Sequence, residues 1–133
     1  MSEGTLRPAG SLHLLVAEDE PHIRRILTTL LEAAGFQLTV VHDGAAALEC
    51  LESEASFDLV LMDLLMPALT GLEVLEAVRD LPHRESLPVI ILTAKGQDID
   101  RTTAFALGAD DFVTKPFSPK KLLSRVDQLL ARP

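Results

Sequence analysis

Five polar side chains, Glu18, Asp19, Asp63, Thr93 and Lys115, stand at or just past the ends of apolar runs. Glu18 and Asp19 follow LHLLVA, Asp63 follows LVLM, Thr93 follows VIIL, and Lys115 lies two residues beyond Val113. Alone, a carboxylate at such a place is either a solvated strand terminus or a group held there for chemistry. Three carboxylates brought together repel one another, and a hard divalent cation turns that repulsion into attraction. A lysine and a threonine hydroxyl beside them supply donors for an anion. The combination asks for magnesium and a phosphoryl group.

The elements must bring these residues to one place. Continuous apolar runs read as strands buried on both faces, the pattern of a parallel sheet covered by helices. Strands are predicted over Leu12–Ala17, Gln37–Val41, Asp58–Met62, Pro88–Leu92 and Asp111–Val113. Pro21 suits the first turn of a helix whose apolar stripe runs from Ile23 to Ala34 and stops at Gly35. Asp43 is a natural N-cap for a helix through Glu52, and further helices are predicted over Gly71–Asp80 and Asp98–Leu107. Ser118 then caps a last helix with Pro119 at its first position, its buried face being Leu122, Leu123, Val126, Leu129 and Leu130. Strands alternating with helices argue for an α/β fold, a doubly wound parallel sheet with right-handed crossovers. In such sheets ligands sit beyond the carboxyl ends of the strands, the edge on which all five polar residues fall.

Composition narrows the rest. The 133 residues, 47% hydrophobic, suit one core and one domain, over residues 12–131, after a flexible tail at residues 1–11. A formal charge of −8 opposes direct binding of nucleic acid or anionic membranes. The single cysteine, Cys50, excludes a disulfide framework and reads as packing on the second helix. The four histidines, His13, His22, His42 and His83, lack metal-ligand spacing and read as unrelated polar or surface positions. No apolar h-region opens the chain, and no stretch reaches the roughly 20 apolar residues of a membrane span, so a cytoplasmic protein is expected.

With these residues in place the chain resembles the receiver domain of two-component response regulators. The marks are Glu18-Asp19, Asp63 with Met66-Pro67 and Gly71, Thr93-Ala94 and Lys115-Pro116-Phe117, and the resemblance covers about Leu12 to Ala131. It implies a flavodoxin-like (βα)5 fold with strand order 2-1-3-4-5, an order for which a member of this family is itself a standard example. It further implies that Asp63 takes a phosphoryl group from the phosphohistidine of a sensor histidine kinase or phosphotransfer protein. Asp19 and Asp63 would ligate Mg2+ directly, Glu18 mostly through water, and the backbone carbonyl of Leu65 would complete the protein's share. Lys115 would balance the phosphoryl charge, Thr93 would bind a phosphoryl oxygen, and Phe112 would be the aromatic switch that moves inward. The readout would be the face of the fourth helix, fifth strand and fifth helix, toward a downstream effector domain or protein. No enzymatic turnover is implied beyond self-catalysed transfer and slow autodephosphorylation.

Departures from the family pattern refine this. Glu18 replaces the commoner Asp and lengthens the reach to the metal. Leu65 stands where some relatives place a polar side chain that positions the hydrolytic water. The stretch GADDFVTKPFSPKKLLSRV resembles receivers of winged-helix regulators, in which residues matching Asp111 and Arg125 pair across a dimer. Lys121, however, replaces the usual Glu opposite Arg101, so a monomer or a weak, phosphorylation-dependent dimer is expected. Two other chemistries fit less well: a dehalogenase-type phosphatase wants an Asp where Leu65 stands, and a flavin mononucleotide would meet the repelling Glu18-Asp19-Glu20. The alternative is a phosphorylation-independent receiver acting as a protein-interaction module.

Overall fold

The computed structural model describes residues 12–94 and 101–131. The expected tail and residues 98–100 of the expected fourth helix lie outside them. Five strands, β1 (His13–Ala17), β2 (Gln37–Val41), β3 (Leu59–Asp63), β4 (Val89–Ala94) and β5 (Asp111–Lys115), form one parallel sheet in the order β2-β1-β3-β4-β5. Five helices connect or follow them: α1 (Pro21–Ala33), α2 (Gly44–Glu52), α3 (Gly71–Arg79), α4 (Arg101–Ala106) and α5 (Pro119–Leu130). The expected doubly wound topology is the one observed.

Alternate residues of each central strand face opposite ways, and each face has its own cover. Leu15, Val60, Met62 and Ile91 pack with Ala47 and Leu51 of α2, Val74 and Val78 of α3, and Ala104 of α4. Leu14, Leu59, Leu61, Ile90 and Leu92 pack with Leu27 and Leu31 of α1 and Leu122, Val126 and Leu129 of α5. Burying a leucine such as Leu61 is worth about 2 kcal/mol, and β3 is buried at every position. A strand clamped on both faces holds its last residue, Asp63, with little freedom.

The local signals behave as their chemistry requires. The Asp43 carboxylate accepts from the Ala46 N–H at 2.7 Å, and the Ser118 hydroxyl accepts from the Lys121 N–H at 3.3 Å. Gly35 follows α1 with φ of 97°, a conformation glycine adopts without strain. Of the expected α5 face, Leu122, Val126 and Leu129 are buried, while Leu123 and Leu130 are half-buried at the core's edge.

Several strand ends differ from the sequence-based expectation. Asp58 stands outside β3, its carboxylate accepting from the His13 N–H at 2.8 Å, while Asp63 lies inside, paired in register with Leu92. β4 and β5 run on to Ala94 and Lys115 because Thr93 pairs with Thr114 and Ala94 with Lys115. His13 is a half-buried polar position away from the carboxyl edge. Its ring bridges the Ser56 carbonyl at 3.0 Å and the Thr39 hydroxyl at 2.7 Å at the amino-terminal edge of the sheet.

Candidate functional site

β1 delivers Glu18 to the carboxyl edge, where it is fully buried and its N–H donates to the Val41 carbonyl at 3.1 Å. The carboxylate folds back to accept from the Glu20 N–H at 3.1 Å. β3 delivers Asp63, 5% exposed, and Asp19 stands exposed at the rim. One ligand oxygen from each of Glu18, Asp19 and Asp63 can be chosen so that all lie within 4.8 Å of one another. β5 delivers Lys115 from the far side. Its ammonium lies 3.2 Å from Glu18 Oε1, 3.3 Å from Asp63 Oδ2 and 3.9 Å from Glu20 Oε1.

The turn after β3 is held tightly. The Leu64 N–H donates to the Leu92 carbonyl and the Gly71 N–H to the Leu64 carbonyl, each at 2.7 Å. A Cβ on Gly71 would overlap the Asp63 carbonyl oxygen, so only glycine lets the start of α3 approach the strand end this closely. Thr70 and Glu73 then close α3 with a capping box. Leu65, in that turn, is 54% exposed beside the pocket.

The electrostatics are those of an overcrowded acid pocket. Burial, then the hydrogen bond and charge of Asp63, push the Glu18 carboxyl up to about 7, against the pull of the Glu20 N–H and Lys115. Burial alone would lower the Lys115 ammonium, but the charges of Asp63 and Glu18 outweigh it and raise it above its ordinary value. Asp63 Oδ1 is buried with no hydrogen-bond partner among the described residues. An orphaned carboxylate oxygen costs free energy unless something meets it. An all-oxygen donor set closing on that atom fits a hard cation such as magnesium.

The remaining expected residues lie on the next strands. Thr93 is buried, its hydroxyl 3.5 Å from the Ala94 carbonyl. Since Thr93 pairs with Thr114 and Ile91 with Phe112, Thr93 and Phe112 share one face of the sheet. Phe112 is 7% exposed. The Lys115–Pro116 peptide is cis. Asp111 and Arg125 pair within this one chain, Oδ2 to Nε at 3.3 Å.

Two contacts escaped the sequence reading. The Arg24 guanidinium donates to the carbonyls of Glu18 at 3.1 Å and Asp19 at 3.2 Å, pinning the acidic turn from one helical turn away. Arg101 donates to the Phe112 carbonyl at 3.2 Å and lies 5.5 Å from the centre of its ring. Neither carries a sequence signal, because an arginine on an exposed helix face reads as a solvated charge.

The order of the sheet and an acidic pocket closed by a lysine define a flavodoxin-like domain with a cation-suited carboxyl edge. A family model for the response regulator receiver domain matches residues 14–127, and the chain belongs to that family. It is 40% identical over 119 residues to the regulatory protein VanRc of Enterococcus gallinarum, a match covering 90% of this chain and 50% of that protein. The chain thus spans about half the length of the curated relatives it matches. A putative response regulator from Chloroflexus aurantiacus superposes with a TM-score of 0.85 at 31% identity, covering 91% of this chain and 98% of that one. The receiver domain of sensor histidine kinase PA1611 from Pseudomonas aeruginosa gives 0.84 at 27%, with the same coverages, and holds a magnesium ion in its active site cleft.

Proposed function

We propose that this receiver accepts a phosphoryl group on Asp63 from the phosphohistidine of a histidine kinase or phosphotransfer protein, with Mg2+ required. The observation that carries the reading is the Asp63 carboxylate itself. It is buried, paired through Oδ2 with Lys115, and without a partner at Oδ1 among the described residues. Glu18, Asp19 and Asp63, with the Leu65 carbonyl, would hold the ion, as the cleft of the PA1611 receiver holds one. When bound it supplies neutralisation of the transferring phosphoryl oxygens.

The rest falls to the chain's own residues. An Asp63 oxygen forms the new bond to phosphorus as the phosphorus–nitrogen bond of the donor breaks, and the electron pair leaves with the imidazole. Lys115 balances the added charge, and the Thr93 hydroxyl donates to a phosphoryl oxygen. Phe112, on the same sheet face, carries that change toward α4, β5 and α5, the face read by a downstream effector. The protein works in the cytoplasm as a switch, with slow autodephosphorylation and no further turnover.

Incubation with magnesium and acetyl phosphate should add one phosphoryl group by intact mass, and a chelator should prevent it. No addition under either condition would favour the phosphorylation-independent receiver. Two substitutions probe the surroundings. Leu65→Asn should shorten the phosphoryl lifetime about threefold by giving water a polar partner where leucine offers none; an unchanged half-life would dismiss that role. Arg24→Gln releases the Glu18 and Asp19 carbonyls and should weaken magnesium binding about threefold by titration calorimetry, with melting nearly unchanged. Equal affinity would leave Arg24 as packing alone.

A further inference from the structure

The turn after β3 is gripped a second time, from α2. The N–H of Gly44, the first residue of that helix, donates to the Pro67 carbonyl at 3.2 Å, and the Leu69 N–H donates to the same oxygen at 2.9 Å. The second bond closes a turn of three residues, and Ala68 at its centre has φ of 72°, where a side chain is strained. Leu64 and Met66 are buried, whereas Leu65, Pro67 and Ala68 are exposed. Gly44 is not required by its own helix. Its backbone is helical, and alanine suits such a position better. What excludes a side chain is the neighbouring turn. A Cβ on Gly44 would overlap the Leu69 carbonyl oxygen and crowd the Leu69 carbonyl carbon and Cβ, each at 2.7 Å.

We infer that Gly44 is a positioning residue of the metal site, fixing residues 67–69 against α2 and thereby setting where Leu65 presents its backbone carbonyl. The inference rests on the reading of that carbonyl as a magnesium ligand and adds what places it.

Leu65 lies between two anchors. On one side the Leu64 N–H and carbonyl are bonded to Leu92 and Gly71, and on the other the Pro67 carbonyl is bonded to Gly44. A strained φ persists only where the surroundings over-determine it, and the Gly44 N–H with the close approach of its bare Cα does so at Ala68. Groups one step behind a metal ligand govern its orientation, and losing one weakens binding about tenfold or more. Gly44 contributes no ligand of its own, so its effect passes through the turn.

The test compares the native chain with Gly44→Ala and with Leu51→Val, which loosens the buried far end of α2 without reaching the turn. Labelling methionine with heavy nitrogen places a probe at Met66, whose N–H shares its peptide group with the Leu65 carbonyl, and a reference at Met62 within β3. In Gly44→Ala the metal-free Met66 resonance should move while Met62 keeps its place, and magnesium affinity by calorimetric titration should fall about tenfold. Leu51→Val should melt lower than the native chain, yet keep the native Met66 resonance and the native affinity. An unmoved Met66 or a native affinity in Gly44→Ala would overturn the role of Gly44. So would an equal fall in affinity in Leu51→Val, which would make the effect one of stability alone. Should Gly44→Ala fail to fold, the native chain decides. Magnesium should slow hydrogen exchange of the Gly44 N–H about threefold or more, because coupling between two places is reciprocal; unchanged exchange would overturn the inference. Failure of the underlying reading has a different signature. Magnesium binding that leaves the native Met66 resonance unmoved, or no binding at all, removes Leu65 from the metal site and the inference with it.

Discussion

Asp63→Asn is expected to take up no phosphoryl group from acetyl phosphate in the presence of magnesium, while folding as well as the native chain. The amide keeps the shape of the carboxylate at the end of β3, so the strand and its pairing with β4 are undisturbed. It lacks the anionic oxygen that forms the bond to phosphorus, and it removes one charge from the pocket. The fold should tolerate that loss. Part of what pushes the Glu18 carboxyl upward is the hydrogen bond and charge of Asp63, so the variant relieves a repulsion inside the protein. Lys115 keeps Glu18 as its partner at 3.2 Å. Intact mass with and without acetyl phosphate measures the first expectation, and thermal melting at neutral pH measures the second. Undiminished uptake would move the acceptor to another carboxylate, with Asp19 the accessible one, and would undo the assignment. Lost uptake together with lost folding would show that Asp63 is needed for the structure, and the chemical conclusion would then have to come from chelation of the native chain.

Much of this pocket could be read from residue order because the fold does the positioning by rule. Apolar runs long enough to be buried on both faces end at the same edge of a parallel sheet, so Glu18, Asp63, Thr93 and Lys115 were bound to meet there. Helix ends were equally plain at Asp43, Ser118-Pro119 and Gly35, where capping and backbone chemistry are local. The strand ends at Ala94 and Lys115 were not, because they are set by the register between β4 and β5, which no local propensity encodes. The partners of His13 were hidden for a related reason: Ser56 and Thr39 are distant in the chain and meet it only in the fold. Arg24 and Arg101 belong with it. Each reaches from a helix to backbone carbonyls near the site, and an acceptor of that kind is present at every residue and marked by none.

Magnesium affinity is expected to fall about tenfold between pH 8 and pH 6, and Glu18 is the reason. Its carboxyl is raised from the ordinary 4.5 to about 7, chiefly by burial and then by Asp63. Between these values the folded protein holds a proton that the unfolded chain has released. Stability of the metal-free protein therefore falls as pH rises through this window, and above it the charged Glu18 is carried at its full penalty. A cation bound to the pocket favours the ionised carboxylate and so must displace that proton below pH 7, where each unit of pH weakens binding by up to a factor of ten. Above pH 7 the proton is already gone and the affinity should level off. Calorimetric titrations at pH 6 and pH 8, in buffers of different ionisation enthalpy, would show release of nearly one proton at the lower pH. Glu18→Gln cannot ionise, so it should bind more weakly at pH 8 and lose most of the pH dependence. An affinity equal at both pH values in the native chain would mean that Glu18 is already ionised at pH 6 or takes no part in holding the ion. A pH dependence that survives in Glu18→Gln would take the proton away from Glu18 and undo this account.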